Sequence, residues 1–137
     1  GAGPTEPIMT DSALLDCSAV LQTAMLAWLD GVAAAGVHWG LKNDRQLPRL
    51  EVFPSAAGTT KRYIGGATQW DGPLVVRATA TTREDAHELL TNATAQLPRS
   101  AVVDGYTITL QSIRPLLGPS NGTTVGMVYQ ASVRPGG

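Results

Sequence analysis

The chain of 137 residues holds one cysteine, one phenylalanine and two histidines, and each shortage excludes something. A lone thiol forms no internal disulfide, and Cys17 falls on an apolar helix face, where it reads as a buried, inert side chain. The lack of a disulfide framework points to a reducing, cytosolic site of synthesis. Aromatic residues make up 5% of the chain, too few to alternate with basic residues as a base-stacking platform. Lys61-Arg62-Tyr63 and Arg99 come nearest to one, and they read as a solvated basic turn. Ten basic and 11 acidic side chains leave a formal charge of −1, so no summed field recruits nucleic acid or an anionic membrane. Apolar runs fall short of the roughly 20 residues that cross a bilayer, and the first residues lack the basic-then-apolar order of a secretion signal. A soluble product without membrane contact is expected.

Signatures of catalysis are missing too. Gly65-Gly66 has neither the spacing nor the lysine of a phosphate loop. A transition metal needs three or four converging ligands, and His38, His87 and Cys17 are far apart in the chain. No Gly-x-Ser-x-Gly elbow presents a nucleophile. The aspartates Asp11, Asp16, Asp30, Asp44, Asp71 and Asp104 fall at caps, turns or exposed faces, where a solvated charge suffices. His38, beside Trp39, is the better of the two histidines as a functional candidate. It reads more simply as a boundary residue at a helix-to-strand turn. No catalytic residue, cofactor or metal is assigned.

What the chain does hold is a strand and a helix joined without slack. From Leu74 to Thr81, Leu74, Val76, Ala78 and Ala80 alternate with Val75, Arg77, Thr79 and Thr81, the two-residue period of a strand with one buried face. Thr82 then stands as an N-cap with Glu84 and Asp85 in the first turn. Ala86, Leu89, Leu90, Ala93 and Leu97 recur at helical steps until Pro98 ends the helix. Ahead of this unit, Leu14, Cys17, Val20, Leu21, Ala24, Met25, Trp28, Leu29 and Val32 predict a long first helix from Asp11, closed by Gly31 or Gly36.

Short strands are expected at Val37–Leu41, at Arg49–Phe53 between two prolines, and at Lys61–Ile64. Gly65–Gly72 reads as a loop with Trp70 in its middle. Asp104-Gly105 turns the chain into a strand from Tyr106 to Arg114, and Asn121-Gly122 marks the turn before a last strand from Thr123 to Val133. These two form a hairpin whose long tip contains Leu116 and Leu117. The prediction is one α+β domain over 11–137 behind a flexible tail over 1–10. Its two helices lie on a mainly antiparallel sheet of four to five strands, in the order α-β-β-(β)-β-α-β-β.

This order resembles that of the tail terminator proteins of long-tailed bacteriophages, also called tail-completion or minor capsid proteins. The likeness rests on the leading helix with Leu21, Trp28 and Leu29, the break into Val37-His38-Trp39-Gly40, and the strand Leu50-Glu51-Val52-Phe53 with Pro54. It continues through Leu74–Thr81 running into Thr82-Arg83-Glu84-Asp85-Ala86, then Leu89 and Leu90, and the hairpin from Tyr106 to Val133. The resemblance implies a non-enzymatic virion protein, made in the host cytoplasm, that forms a homohexameric ring on the tail tube. Such a ring stops tube growth, meets the stopper protein of the head's neck, and lets DNA pass through its lumen without sequence-specific contact. On this reading Lys61, Arg62, Tyr63 and Trp70 belong to a tube- or neighbour-facing loop, and Leu116 and Leu117 contact another subunit. Other head-tail connectors, stopper or adaptor, share part of the layout, and an oligomeric binding module unrelated to phages is the remaining alternative.

Overall fold

The structure, a computed structural model, describes residues 17–40, 46–55, 57–63, 68–117 and 123–136. The expected tail over 1–10, the start of the first helix at Asp11 and the Asn121-Gly122 turn lie outside them. Helix α1 (Cys17–Trp28) buries Cys17, Val20, Leu21, Ala24 and Met25, one stripe at helical spacing. Its first turn is held by the Cys17 amide, which donates to Thr68 Oγ1 at 2.8 Å, satisfying a donor the helix itself leaves open. After Leu29 the chain turns through Gly31 and Gly36, whose φ values of +79° and +95° suit glycine alone among common residues.

Four strands follow: β1 (Val37–Trp39), β2 (Arg49–Pro54), β3 (Thr59–Arg62) and β4 (Thr68–Thr79). Helix α2 (Arg83–Gln96) then leads to β5 (Ser100–Val103), β6 (Tyr106–Leu117) and β7 (Thr124–Pro135). The sheet order is β1-β2-β4-β7-β6-β5, with β3 paired to β4 beyond the end of β2. All pairings are antiparallel except that of β1 with β2.

The α+β class, the two helices and the mainly antiparallel sheet agree with the sequence, but the sheet has seven strands where four to five were expected. β5, in a stretch where no strand was expected, pairs with β6 across the Asp104-Gly105 turn. Both turn residues have positive φ, +51° and +81°, the backbone twist that suits a two-residue hairpin. β2, although prolines stand at 48 and 54, is an interior strand, with β1 on its outer side.

Both helices lie on one face of the sheet, α2 across β4 and β7 and α1 against β1, β4, β6 and β7. Leu50, Val52, Leu74, Val76, Ala78, Ile108, Val125, Ala131 and Val133 point into that layer and are at most 2% exposed. α2 begins where Thr82 Oγ1 accepts from the Asp85 amide at 3.1 Å and ends at Gln96. Leu97 is in the extended region, as a residue preceding proline must be.

Candidate functional site

The largest departure from the sequence reading is at Trp70. Strand β4 starts at Thr68, so no loop surrounds Trp70; it is a β4 residue paired with Thr60 and Val133. Its ring is 7% exposed and joins the core cluster, which leaves little indole to offer a neighbour. The reason is local. Gly58 and Gly72 both lack the Cβ that would collide with this ring, so the chain before β3 closes down onto it.

Lys61 and Arg62 belong to β3, a strand exposed at every residue, and Tyr63 follows it with 46% exposure. The Tyr63 hydroxyl donates to Gln69 Oε1. Gln69 Nε2 passes the contact on to Asp71 Oδ2 at 2.7 Å, and Arg134 Nη2 meets Asp71 Oδ1 at 3.4 Å. Burial works to raise the Asp71 pKa, but the hydrogen bonds from Gln69 and Ser132 and the Arg134 charge outweigh it and hold the carboxyl below its ordinary value. The structure thus gathers Lys61, Arg62 and Tyr63 at the Trp70 end of β4, and Tyr63 begins a polar chain that reaches β7.

Leu116 and Leu117 are at the opposite end of β7. They are not in a hairpin tip: both belong to β6, paired with Gly126 and Val125. Leu116 is half-buried over Gly126, where a Cβ would press on it. The side chain of Leu117 lies outside the described residues.

The sheet face turned away from the helices carries what the sequence reading missed. Val75 and Val128 stand opposite each other there, 8% and 4% exposed, outside the core cluster. Next to them Glu51 is fully buried. Arg77 holds it from β4, with Nε at 3.0 Å and Nη2 at 2.7 Å from Oε1, and Arg49 Nε is 3.9 Å from Oε2. The signal was present in the register of alternation, since Glu51 and Arg77 both sit on the non-core parity of their strands. Only the β2–β4 pairing makes them partners.

Among the described residues, hollows flank α2 and the sheet. One of about 760 Å³ lies between the end of α2 and β6, lined by Thr94, Leu97, Arg99, Gln111 and Ser112 among others. A second, about 230 Å³, separates His87, Leu90 and Thr91 from Pro115 and Leu116. A third, about 250 Å³, is on the other flank of α2, beside Pro48. His38, half-buried on β1, and His87, exposed on α2, are on separate elements. Among the described residues no group of three or more His, Cys, Asp and Glu is placed to hold a metal ion. No helix among them is long and apolar enough to cross a membrane.

The edges of the sheet are its most open feature. β5 covers β6 only from Tyr106 to Thr109. Beyond that stretch Leu110 donates its amide to Arg99 O at 2.9 Å, and Gln111 to Pro115 are all exposed. A bulge between Ser112 and Arg114 throws Ile113 out of register, leaving it 54% exposed. Neither the models of known protein families nor the curated proteins give a match to this chain.

Proposed function

We propose that this protein is a structural subunit that assembles with itself into a ring, in the manner of a phage tail terminator. The observation that carries the reading is that the two sides of the sheet end differently. On one side β6 leaves its outer edge without a strand partner beyond Thr109 among the described residues, and on the other β1 and β3 are the last strands. An unpaired edge is a template for another chain. Two different edges on opposite sides of one subunit favour a heterologous, head-to-tail contact, which closes into a ring when its rotation does.

The element order adds the tail terminator assignment, and with it a hexamer at the head–tail junction of the virion. Its partners are then the tail tube protein on one ring face and a stopper protein on the other, with DNA passing through the lumen. The exposed cations of β3 and the polar chain behind Tyr63 supply a surface for the tube or a neighbour. The near-neutral charge of the chain suits a lumen through which DNA slides.

The test is electron microscopy of the protein mixed with polymerising tail-tube subunits. Tubes with capped ends and a length distribution cut short are expected; bare ends and unchanged lengths overturn the terminator reading. Mass measurement of the assembled ring separates six subunits from the twelve of a portal adaptor.

A further inference from the structure

A notch beside α2 and the bulge on β6 carry opposite charges on opposite sides of the molecule. Towards β2, Asp85, Glu88, Leu89 and Asn92 follow one another at helical spacing and, with Pro48, Ala80 and Thr81, line the notch of about 250 Å³. Its floor is apolar, since Ala80 and Leu89 are buried. Its rim is acidic, since Asp85 and Glu88 are exposed. On the far side, beyond β4 and β7, the β6 bulge presents the opposite features. Ile113 stands out as an aliphatic knob with 54% exposure, and exposed Arg114 follows it. A bulge on an edge strand re-aims a side chain that regular pairing would align with the sheet. Among the described residues no ion pair engages Asp85, Glu88 or Arg114.

We propose that the bulge of one copy occupies the notch of the next: Ile113 seats against Pro48, Ala80 and Leu89, and Arg114 meets the carboxylates of Asp85 and Glu88. The occupant is a second copy of this chain because the acidic rim and the basic, aliphatic knob are both on it, on opposite flanks. Each subunit then donates to one neighbour and accepts from another. This inference rests on the self-assembly reading above and specifies its contact. The apolar seat supplies burial, and the charges around it fix register and exclude the reversed orientation.

The experiment uses the full chain, with assembly followed by analytical ultracentrifugation at concentrations where the unaltered protein associates and on the ends of tail tubes. R114E is expected to weaken association more than about tenfold, as is D85R/E88R, because each sets like charges together. The triple variant carrying all three changes restores it. I113S weakens association without altering charge. All of these positions except Asp85 lie away from caps, and the melting temperature of each variant reports whether it has folded.

If the unaltered protein assembles and folded R114E, D85R/E88R and I113S assemble equally well, the notch contact is wrong and the self-assembly reading stands. If the singly reversed proteins fold but the triple variant does not recover, the contact is also wrong. If R114E forms normal rings that no longer bind tube ends, the bulge faces the tube protein instead of a second copy. If the unaltered protein stays monomeric at millimolar concentration and with tubes, both readings fall.

Discussion

β4 and β6 are each 12 residues long and pair with β7 on its two sides, yet their surroundings differ. β4 has strands on both edges, β7 along one and β2 and β3 end to end along the other. It is buried on its helix face, and on its other face Val75 and Thr79 are 8% exposed. β6 is covered by β5 for four residues, and among the described residues Gln111 to Pro115 are exposed. Both strands carry the same two-residue alternation over part of their length. Neighbours at the edges, more than pattern along the strand, decide which one holds the fold and which one is left to make contacts.

Substitutions that sharpen this contrast fall in a clear order of size. Leu74→Ala, in the covered half of β4, is expected to cost about 3 kcal/mol of stability through lost burial and the cavity left behind, read by urea denaturation. Arg77→Met removes both hydrogen bonds that Arg77 makes to the buried Glu51 carboxylate and is expected to cost about 2 kcal/mol. The double change E51M/R77M should recover part of that loss, since it removes two desolvated charges but also takes from Arg49 its ion pair with Glu51.

Gly58→Ala pushes a methyl group into the Trp70 ring. The expected cost is about 1 to 2 kcal/mol, with a change in tryptophan fluorescence as β3 lifts from β4. Acid tests the Trp70 end of β4 more gently. The Asp71 pKa is lowered in the fold from 3.8, so its contribution is present above that pH and is lost as pH falls through the folded value. Asp71→Asn should flatten that part of a stability-against-pH curve. Ile113→Ala, on the open half of β6, should move stability by no more than about 0.5 kcal/mol in either direction. A larger loss there would mean that β6 supports the monomer as β4 does.

Much of the helix layer was legible because its signals are local. Thr82 as the N-cap, Asp85 three residues on, the stripe from Ala86 to Ala93 and the stop before Pro98 all read directly from the chain, and the structure places them as expected. Gly31 and Gly36 were named as the residues able to turn left-handed, and both do. The first half of β4 was not legible. Gly72 and Pro73 look like loop residues, but β2 pairs with β4 only down to Leu74 and β3 only up to Asp71. Pro73, with no amide to donate, sits at the seam where neither needs one.

β5 was missed for a different reason. Ala101-Val102-Val103 ahead of Asp104-Gly105 is a hairpin signal, but it is short, and although burial alternates along β5, the apolar Val102 takes an exposed position, 63% open, so no alternation of apolar and polar residues marks it. Of the assembly residues expected from the sequence, Lys61, Arg62 and Tyr63 are exposed, while Trp70 is buried because two glycines leave room for its ring. Glu51 and Arg77 were invisible as partners because their contact depends on which strands lie side by side. The notch and the bulge depend on the same long-range fact.

The burial of Cys17, 2% exposed at the start of α1, gives the chain a practical property. A maleimide dye added to the native protein finds almost no sulfhydryl to react with, so a cysteine introduced on the surface becomes the single addressable point. Placed at successive positions along β6, such a label tests the proposed self-association, because energy transfer between donor- and acceptor-labelled copies rises only where two chains meet.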